Sequence, residues 1–249
     1  MTTRRSHIVG EDDASMAPLP EGGGSFRVAI DASAGCRNLL QRILRIEPGR
    51  TGEMRQEASE DVLYLAEGEA RVLVADREIE LQPGTGVLVP PAVPYVIENT
   101  GPGEAVVVSV LAPQPGRGED RLEPGGEASS VREADEEPLP AGQDRYFKLM
   151  IDPRHGCRTV TQFVGFIDRS QAPFHTHTYE EAIYILEGEG IVHVEDREIP
   201  IRTGSSIFLS PGTPHCLENR SEGVLRLLGV FSPPGSPADK TMMQMGGQA

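Results

Sequence analysis

The sequence predicts an all-β protein built from two copies of one small sandwich- or barrel-type domain. Three observations lead there. Residues 175–190, HTHTYEEAIYILEGEG, and residues 55–70, RQEASEDVLYLAEGEA, share their second halves, and the likeness continues. DREIE at 76–80 answers DREIP at 196–200, Gly84 answers Gly204, and Glu98–Asn99 answers Glu218–Asn219, all at one offset of 120 positions. Upstream, FRVAIDASAGCR at 26–37 matches FKLMIDPRHGCR at 147–158 at an offset of 121. The one-residue change falls between Ile46 and Arg55, in a turn-rich stretch where an insertion is tolerated. Such a period is too long for a solenoid and marks a duplicated domain. Within each copy the apolar runs are short and end in glycine, proline or acidic turns, and long helical periodicity is absent.

The expected elements follow in chain order. Residues 1–24 read as a disordered tail, and residues 25–112 as the first domain. Residues 113–144 hold nine acidic and three basic residues among many Pro and Gly. That composition offers too little apolar surface to offset ordering and predicts a flexible linker, with a short helix near Ser129–Glu137. Residues 145–233 form the second domain. There AIYILEGEG is a strand, IVHVEDREIPI two strands around a turn at Glu195–Asp196–Arg197, SSIFLSPGTPHCLEN two strands around a Pro/Gly turn, and VLRLLGVFS a last strand. Residues 234–249 are expected to be a loose tail, or else a strap across a barrel or a partner.

Charge and cysteine usage exclude several function classes. With 23 Lys+Arg against 38 Asp+Glu the net charge is −15, and no basic patch is legible, which argues against nucleic acid as a partner. No apolar run approaches a membrane span, and the stretch after Arg4–Arg5 lacks the apolar core of a signal peptide, so a cytoplasmic protein without membrane contact is expected. Cys36, Cys157 and Cys216 are odd in number and form no CxxC pair, which argues against disulfides and thiolate zinc sites. The GCR triplets, 35–37 and 156–158, recur in both copies, so a structural role at a domain interface is expected, such as an arginine salt bridge. Cys216 is read as a small core residue.

The chemistry concentrates in the second copy. His175 and His177 share parity on a strand, and Glu181 shares it too if the strand runs on, whereas Glu180 points the other way. His215 joins them if its strand lies alongside. His193 reads as an ordinary strand residue, and His7 and His155 are given no role. At the repeat offset the first copy has Arg55, Glu57, Asp61 and Tyr95 in place of His175, His177, Glu181 and His215. Arginine cannot ligate a metal. The first barrel is therefore expected to be filled, with Arg55 paired to Asp61 or Glu57, or else to offer a metal-free ligand pocket.

Residues 175–188 fit H-x-H-x3-E-x6-G, and residues 204–219 fit G-x5-P-x-G-x2-H-x3-N except that Ser210 stands at the proline position, with Pro211 next. These resemble the two signature motifs of the cupin superfamily. The resemblance implies a bicupin of two tandem jelly-roll β-barrels. It implies that His175, His177, Glu181 and His215 ligate one divalent transition metal per chain. That N3O set suits Fe, Mn, Ni, Co, Cu or Zn and leaves two positions on a six-coordinate ion. Phe163, Phe174, Tyr179, Ile183, Ile185 and Phe208 are expected to line the site. The frame APFHTHTYEEAIYILEGEG is most similar to quercetinase-like dioxygenase cupins, which implies a small enolisable or phenolic substrate and Glu181 as a base as well as a ligand. The alternatives are an oxygen-independent isomerase, decarboxylase or lyase, and a non-catalytic cupin that binds a metabolite or metal. An oxalate-decarboxylase-like assignment fits poorly, as neither a second metal set nor an acidic lid motif is legible. A monomer or a homodimer is expected.

Overall fold

The computed structural model describes residues 7–10, 15–116, 121–142 and 144–242. They form 23 short strands and three 3-10 turns. The strands build four antiparallel sheets, two for each half. In the first half a seven-stranded sheet runs, in spatial order, Ser129–Arg132, Thr85–Val89, Glu60–Glu67, Ala105–Ala112, Leu40–Ile46, Gly24–Ile30 and Ala17–Pro18. It faces a four-stranded sheet of Gly49–Arg50, Tyr95–Asn99, Ala70–Val74 and Arg77–Leu81. In the second half the seven strands are His7–Val9, Ser206–Leu209, Glu180–Glu187, Leu225–Ser232, Thr161–Ile167, Arg145–Leu149 and Leu139–Gly142. Its partner sheet holds Arg197–Arg202, Glu189–Val194, His215–Asn219, His175–Thr176 and Thr241–Met242. The two-barrel architecture expected from the repeat is present.

Three apolar cores follow from strand parity. In the Glu180–Glu187 strand, Ile183 and Ile185 point into the second barrel, while Ala182 and Tyr184 point out of it into a core shared with the first. The equivalent strand of the first half does the same, with Leu63 and Leu65 inside and Val62 and Tyr64 in the shared core. The large sheets therefore pack back to back, and their central strands are buried on both faces. That is why these runs are continuously apolar instead of alternating with polar residues. Phe208, expected near the site, belongs to this shared core.

The tails and linker differ from expectation. His7–Val9 pairs with Ser206–Leu209 of the second barrel, and Ser129–Arg132 pairs with Thr85–Val89 of the first. Each arm thus precedes one barrel in the chain and completes the sheet of the other. In place of the expected helix, Ser129–Arg132 is a strand followed by a single 3-10 turn, Glu133–Asp135. Overall composition hides the cause: a few apolar side chains, Val9, Leu19 and Val131, are buried, and a ready sheet edge supplies their backbone hydrogen bonds. The arms are part of the repeat, since Pro18–Leu19–Pro20 and Pro138–Leu139–Pro140 keep the offset of 120. At the other end, Thr241–Met242 pairs with His175–Thr176 as a strap. The parts of the expected tails and linker at 1–6, 11–14, 117–120, 143 and 243–249 lie outside the described residues.

Candidate metal centre

The second barrel gathers the histidines where its two sheets meet. His175 lies in a two-residue strand of the smaller sheet, and Glu181 lies in the larger sheet. The chain crosses between them at 177–179, so the single continuous strand assumed from parity does not exist. Convergence comes from the barrel instead. His215 sits directly across from His175 in register, with ring centroids 4.3 Å apart. His177 lies 4.9 Å from His215 and 6.5 Å from His175 by the same measure. Ligand atoms of His177, Glu181 and His215 all fall within 4.8 Å of one another, and all three side chains are buried. His175, half-buried, lines the adjoining cavity with Glu181 and His215.

Each imidazole is oriented by backbone. Nδ1 of His175 lies 3.0 Å from the Pro173 carbonyl, Nδ1 of His177 2.8 Å from that of Tyr179, and Nδ1 of His215 2.9 Å from that of Thr213. A carbonyl only accepts, so each Nδ1 carries the proton and each Nε2 keeps its lone pair. A neutral histidine fixed in this way is how a metal ligand is prepared. Nε2 of His177 is buried and has no hydrogen-bond partner, although Glu181 Oε2 is 3.1 Å away, out of hydrogen-bonding alignment. An orphaned buried nitrogen beside a carboxylate fits a cation between them.

For His175 and His215 the electrostatics agree with this protonation. Burial holds His175 below the ordinary histidine value and pushes His215 down to about 3, helped by the neighbouring imidazoles. Burial works to raise the Glu181 carboxyl, while positive charge on the His177 side, a proton there or a cation in its place, draws it below its ordinary value. Tyr179 stacks on His177 at 4.1 Å and on Phe231 at 4.2 Å, which locks one side of the site. The 210–213 turn survives the loss of its proline. Ser210 Oγ bonds Thr213 Oγ1 at 2.7 Å, and the Gly212 N–H donates to the His177 carbonyl at 2.8 Å, with Gly212 at φ 75°.

The cavity beside these groups has a volume of about 100 Å³. Phe163, Tyr179 and Ile183 line it, as expected. Phe174 packs edge-on against His193, and Ile185 belongs to the barrel core. His193 bonds Glu218 at 2.8 Å, outside the cavity, and Cys216 is fully buried. Sequence reasoning missed two cations on the cavity wall, Arg145 and Lys240. Both fall in segments that read as linker edge and tail.

In the first barrel the same region is filled. Buried Asp61 accepts hydrogen bonds from Arg42 at 2.9 Å, Tyr95 at 2.5 Å and Ser109 at 2.7 Å. Arg55 pairs with Glu57 at 2.9 Å, but on the surface, so the expected Arg55–Asp61 pair is replaced by Arg42–Asp61. The signal was present: Arg42 interrupts the apolar strand LQRILRI at the repeat position of Phe163.

The cupin domain model matches residues 42–111 and 166–231, one match per barrel. The chain is 34% identical over 76 residues to an uncharacterised protein of Methanocaldococcus jannaschii, covering 30% of this chain and 61% of that one. It is 37% identical over 63 residues to an oxalate-binding protein of Thermotoga maritima, covering 25% of this chain and 52% of that one. Thus it spans about half to three-fifths of the length of these relatives. Among solved structures, Lactobacillus farciminis oxalate decarboxylase in a formate complex superposes with a TM-score of 0.76 at 15% identity, over 95% of this chain and 88% of that one. At that identity the likeness carries the fold and nothing finer. With two matched domains, two barrels and a histidine-bearing site in one of them, the chain belongs to the cupin family, as a tandem two-domain member.

Proposed function

We propose that the second barrel is a metal-dependent enzyme site for a small organic molecule, with His175, His177, Glu181 and His215 holding one divalent transition metal per chain. The observation that carries this reading is the common orientation of the three imidazoles, each with Nδ1–H on a backbone carbonyl and Nε2 free, beside a buried carboxylate. When bound, the metal supplies Lewis-acid polarisation of a substrate oxygen. The chain's own groups do the rest. Glu181 accepts a proton at Oε2 from a substrate hydroxyl or acidic C–H. Phe163 and Ile183 keep water from the reacting face, and Tyr179 holds the His177 ring. The cavity is smaller than the roughly 300–1,000 Å³ typical of pockets for drug-sized ligands, which favours a compact substrate.

Dioxygenase-type cleavage of an enolisable or phenolic compound is the first reaction to test. The similarity to an oxalate-binding protein favours a second reading, oxygen-independent chemistry or simple binding of a small acid at the same site. Metal analysis of protein purified without added metal, followed by oxygen-electrode assays, separates them. Substrate-dependent oxygen uptake that disappears in His177→Ala supports the first. Stoichiometric metal with no oxygen uptake on any diketone, catechol or flavonol supports the second. Metal retained at wild-type level by His177→Ala would sink the site itself.

A further inference from the structure

The geometry points to Arg145, seconded by Lys240, as an anion-recognition pair in this cavity, so that the molecule bound opposite the histidines is a small carboxylate. The inference rests on the metal site proposed above and names the class of ligand it takes. Arg145 opens the Arg145–Leu149 strand, and Lys240 comes from the strap after the last barrel strand; both line the cavity with His175, Glu181 and His215. Nε of Arg145 is buried without a hydrogen-bond partner. Among the described residues no ion pair uses the guanidinium of Arg145 or the ammonium of Lys240, in a chain with 38 acidic residues against 23 basic ones. Elsewhere the half-buried arginines are matched: Arg42 with Asp61, and Arg226 with Glu133. A buried donor left open is costly unless something else fills it.

The placement is built. The guanidinium lies on the backbone at Gly142, where an added Cβ would come within 2.5 Å of Nη2. Gly142 is held at φ 147°, a conformation that side-chain-bearing residues avoid. Glu181 is the single carboxylate on the cavity wall. With a divalent ion bound, Arg145 and Lys240 would raise the positive charge facing it to four. The remaining wall is largely apolar, with Phe163, Ile183 and Leu227. In such a setting a guanidinium binds a carboxylate through paired, charge-assisted hydrogen bonds. Burial depresses the ordinary values of both cations and Arg145 adds to this for Lys240, with exposed Asp144 beside Arg145 and Glu181 near Lys240 opposing the shift only in part.

The test is calorimetric titration of Co(II)-loaded full-length protein with acetate, malonate and succinate, each beside its neutral amide. Co(II) content and its visible spectrum report the metal site independently. The best of the three acids should bind measurably tighter than its amide. Arg145→Gln should weaken that acid about 10- to 100-fold, as loss of charge-assisted bonds does, with Co(II) content and spectrum unchanged. Arg145→Lys should restore part of the affinity, and Lys240→Gln should cost less, about 3- to 10-fold on the scale of a single ordinary hydrogen bond. Unchanged acid affinity in Arg145→Gln, or no acid binding to the wild type, overturns the inference while leaving the metal site standing. Failure to take up Co(II) removes the metal reading instead. In that case the same titrations on metal-free protein decide: Arg145-dependent acid binding upholds the inference, and its absence rejects it.

Discussion

Glu60 and Glu180, 120 positions apart, grip each other's barrels. Glu180 accepts the backbone N–H groups of Arg37 at 2.9 Å and Asn38 at 2.8 Å in the first half. Glu60 accepts those of Arg158 at 3.0 Å and Thr159 at 3.1 Å in the second. The thiols of Cys36 and Cys157 complete the two clasps. This is what the repeated GCR triplets do. The interface role expected of them is carried mainly by their backbone, with an Arg158–Glu60 ion pair at 3.3 Å beside one of the two clasps. Glu60→Ala strands several buried donors and should cost about 2–4 kcal/mol, the range for losing more than one such bond. Urea unfolding measures it, and bound metal per chain should not change.

Arg42 and Asp61 make the first barrel's interior self-sufficient. Removing one partner of a buried pair leaves an uncompensated charge, so Arg42→Met should destabilise the protein by about 3–5 kcal/mol. Tyr95→Phe, which removes one donor to Asp61, should cost about 1–2 kcal/mol. Neither should alter metal stoichiometry, which elemental analysis would put at one ion per chain. A second equivalent of tightly held metal would contradict the filled barrel.

Metal should stabilise the fold through the second barrel. At a free concentration one hundred times Kd, binding to the native state alone contributes about 2.7 kcal/mol. For a protein of this size that corresponds to a rise in Tm of about 5–10 °C. Calorimetry with and without a chelator reads the shift, and His215→Ala should abolish it.

Burial, with the Glu180 and Glu60 carboxylates beside them, pushes the Cys36 and Cys157 thiols up to about 12. They should resist iodoacetamide at pH 8 in the native protein and react after denaturation. The unfolded chain releases these protons near 9 and the folded one does not, so their contribution, complete below pH 9, is lost as pH rises toward 12. Rapid native labelling at pH 8 would show that the clasp opens.

Much of the scaffold was legible because a duplicated sequence prints its own register. The glycine-ended strands and the GTPH turn could be placed from the offset alone. The histidines stood out because the other copy lacks them. Arg145 and Lys240 stayed hidden because one sits at the edge of the expected linker and the other in the expected tail, and only the fold brings them to the cavity. Glu60 and Glu180 were hidden for another reason. Parity shows which way a carboxylate points, not what meets it there, and their partners lie in the other barrel. Of the two partners expected for Arg55, Glu57 is the one it meets, but on the surface, because the chain turns outward there, while Arg42 of the Leu40–Ile46 strand reaches Asp61 inside.

The exchanged arms have a consequence for how the protein can be divided. Cutting between the halves removes from each barrel an edge strand that the other half carries: His7–Val9 leaves with the first, Ser129–Arg132 with the second. Each fragment would present a bare sheet edge and half of the shared apolar core, a combination that invites aggregation. The two domains, separable on paper by their repeat, should therefore form one cooperative unit that melts in a single transition, and co-expressed fragments should recover solubility only together.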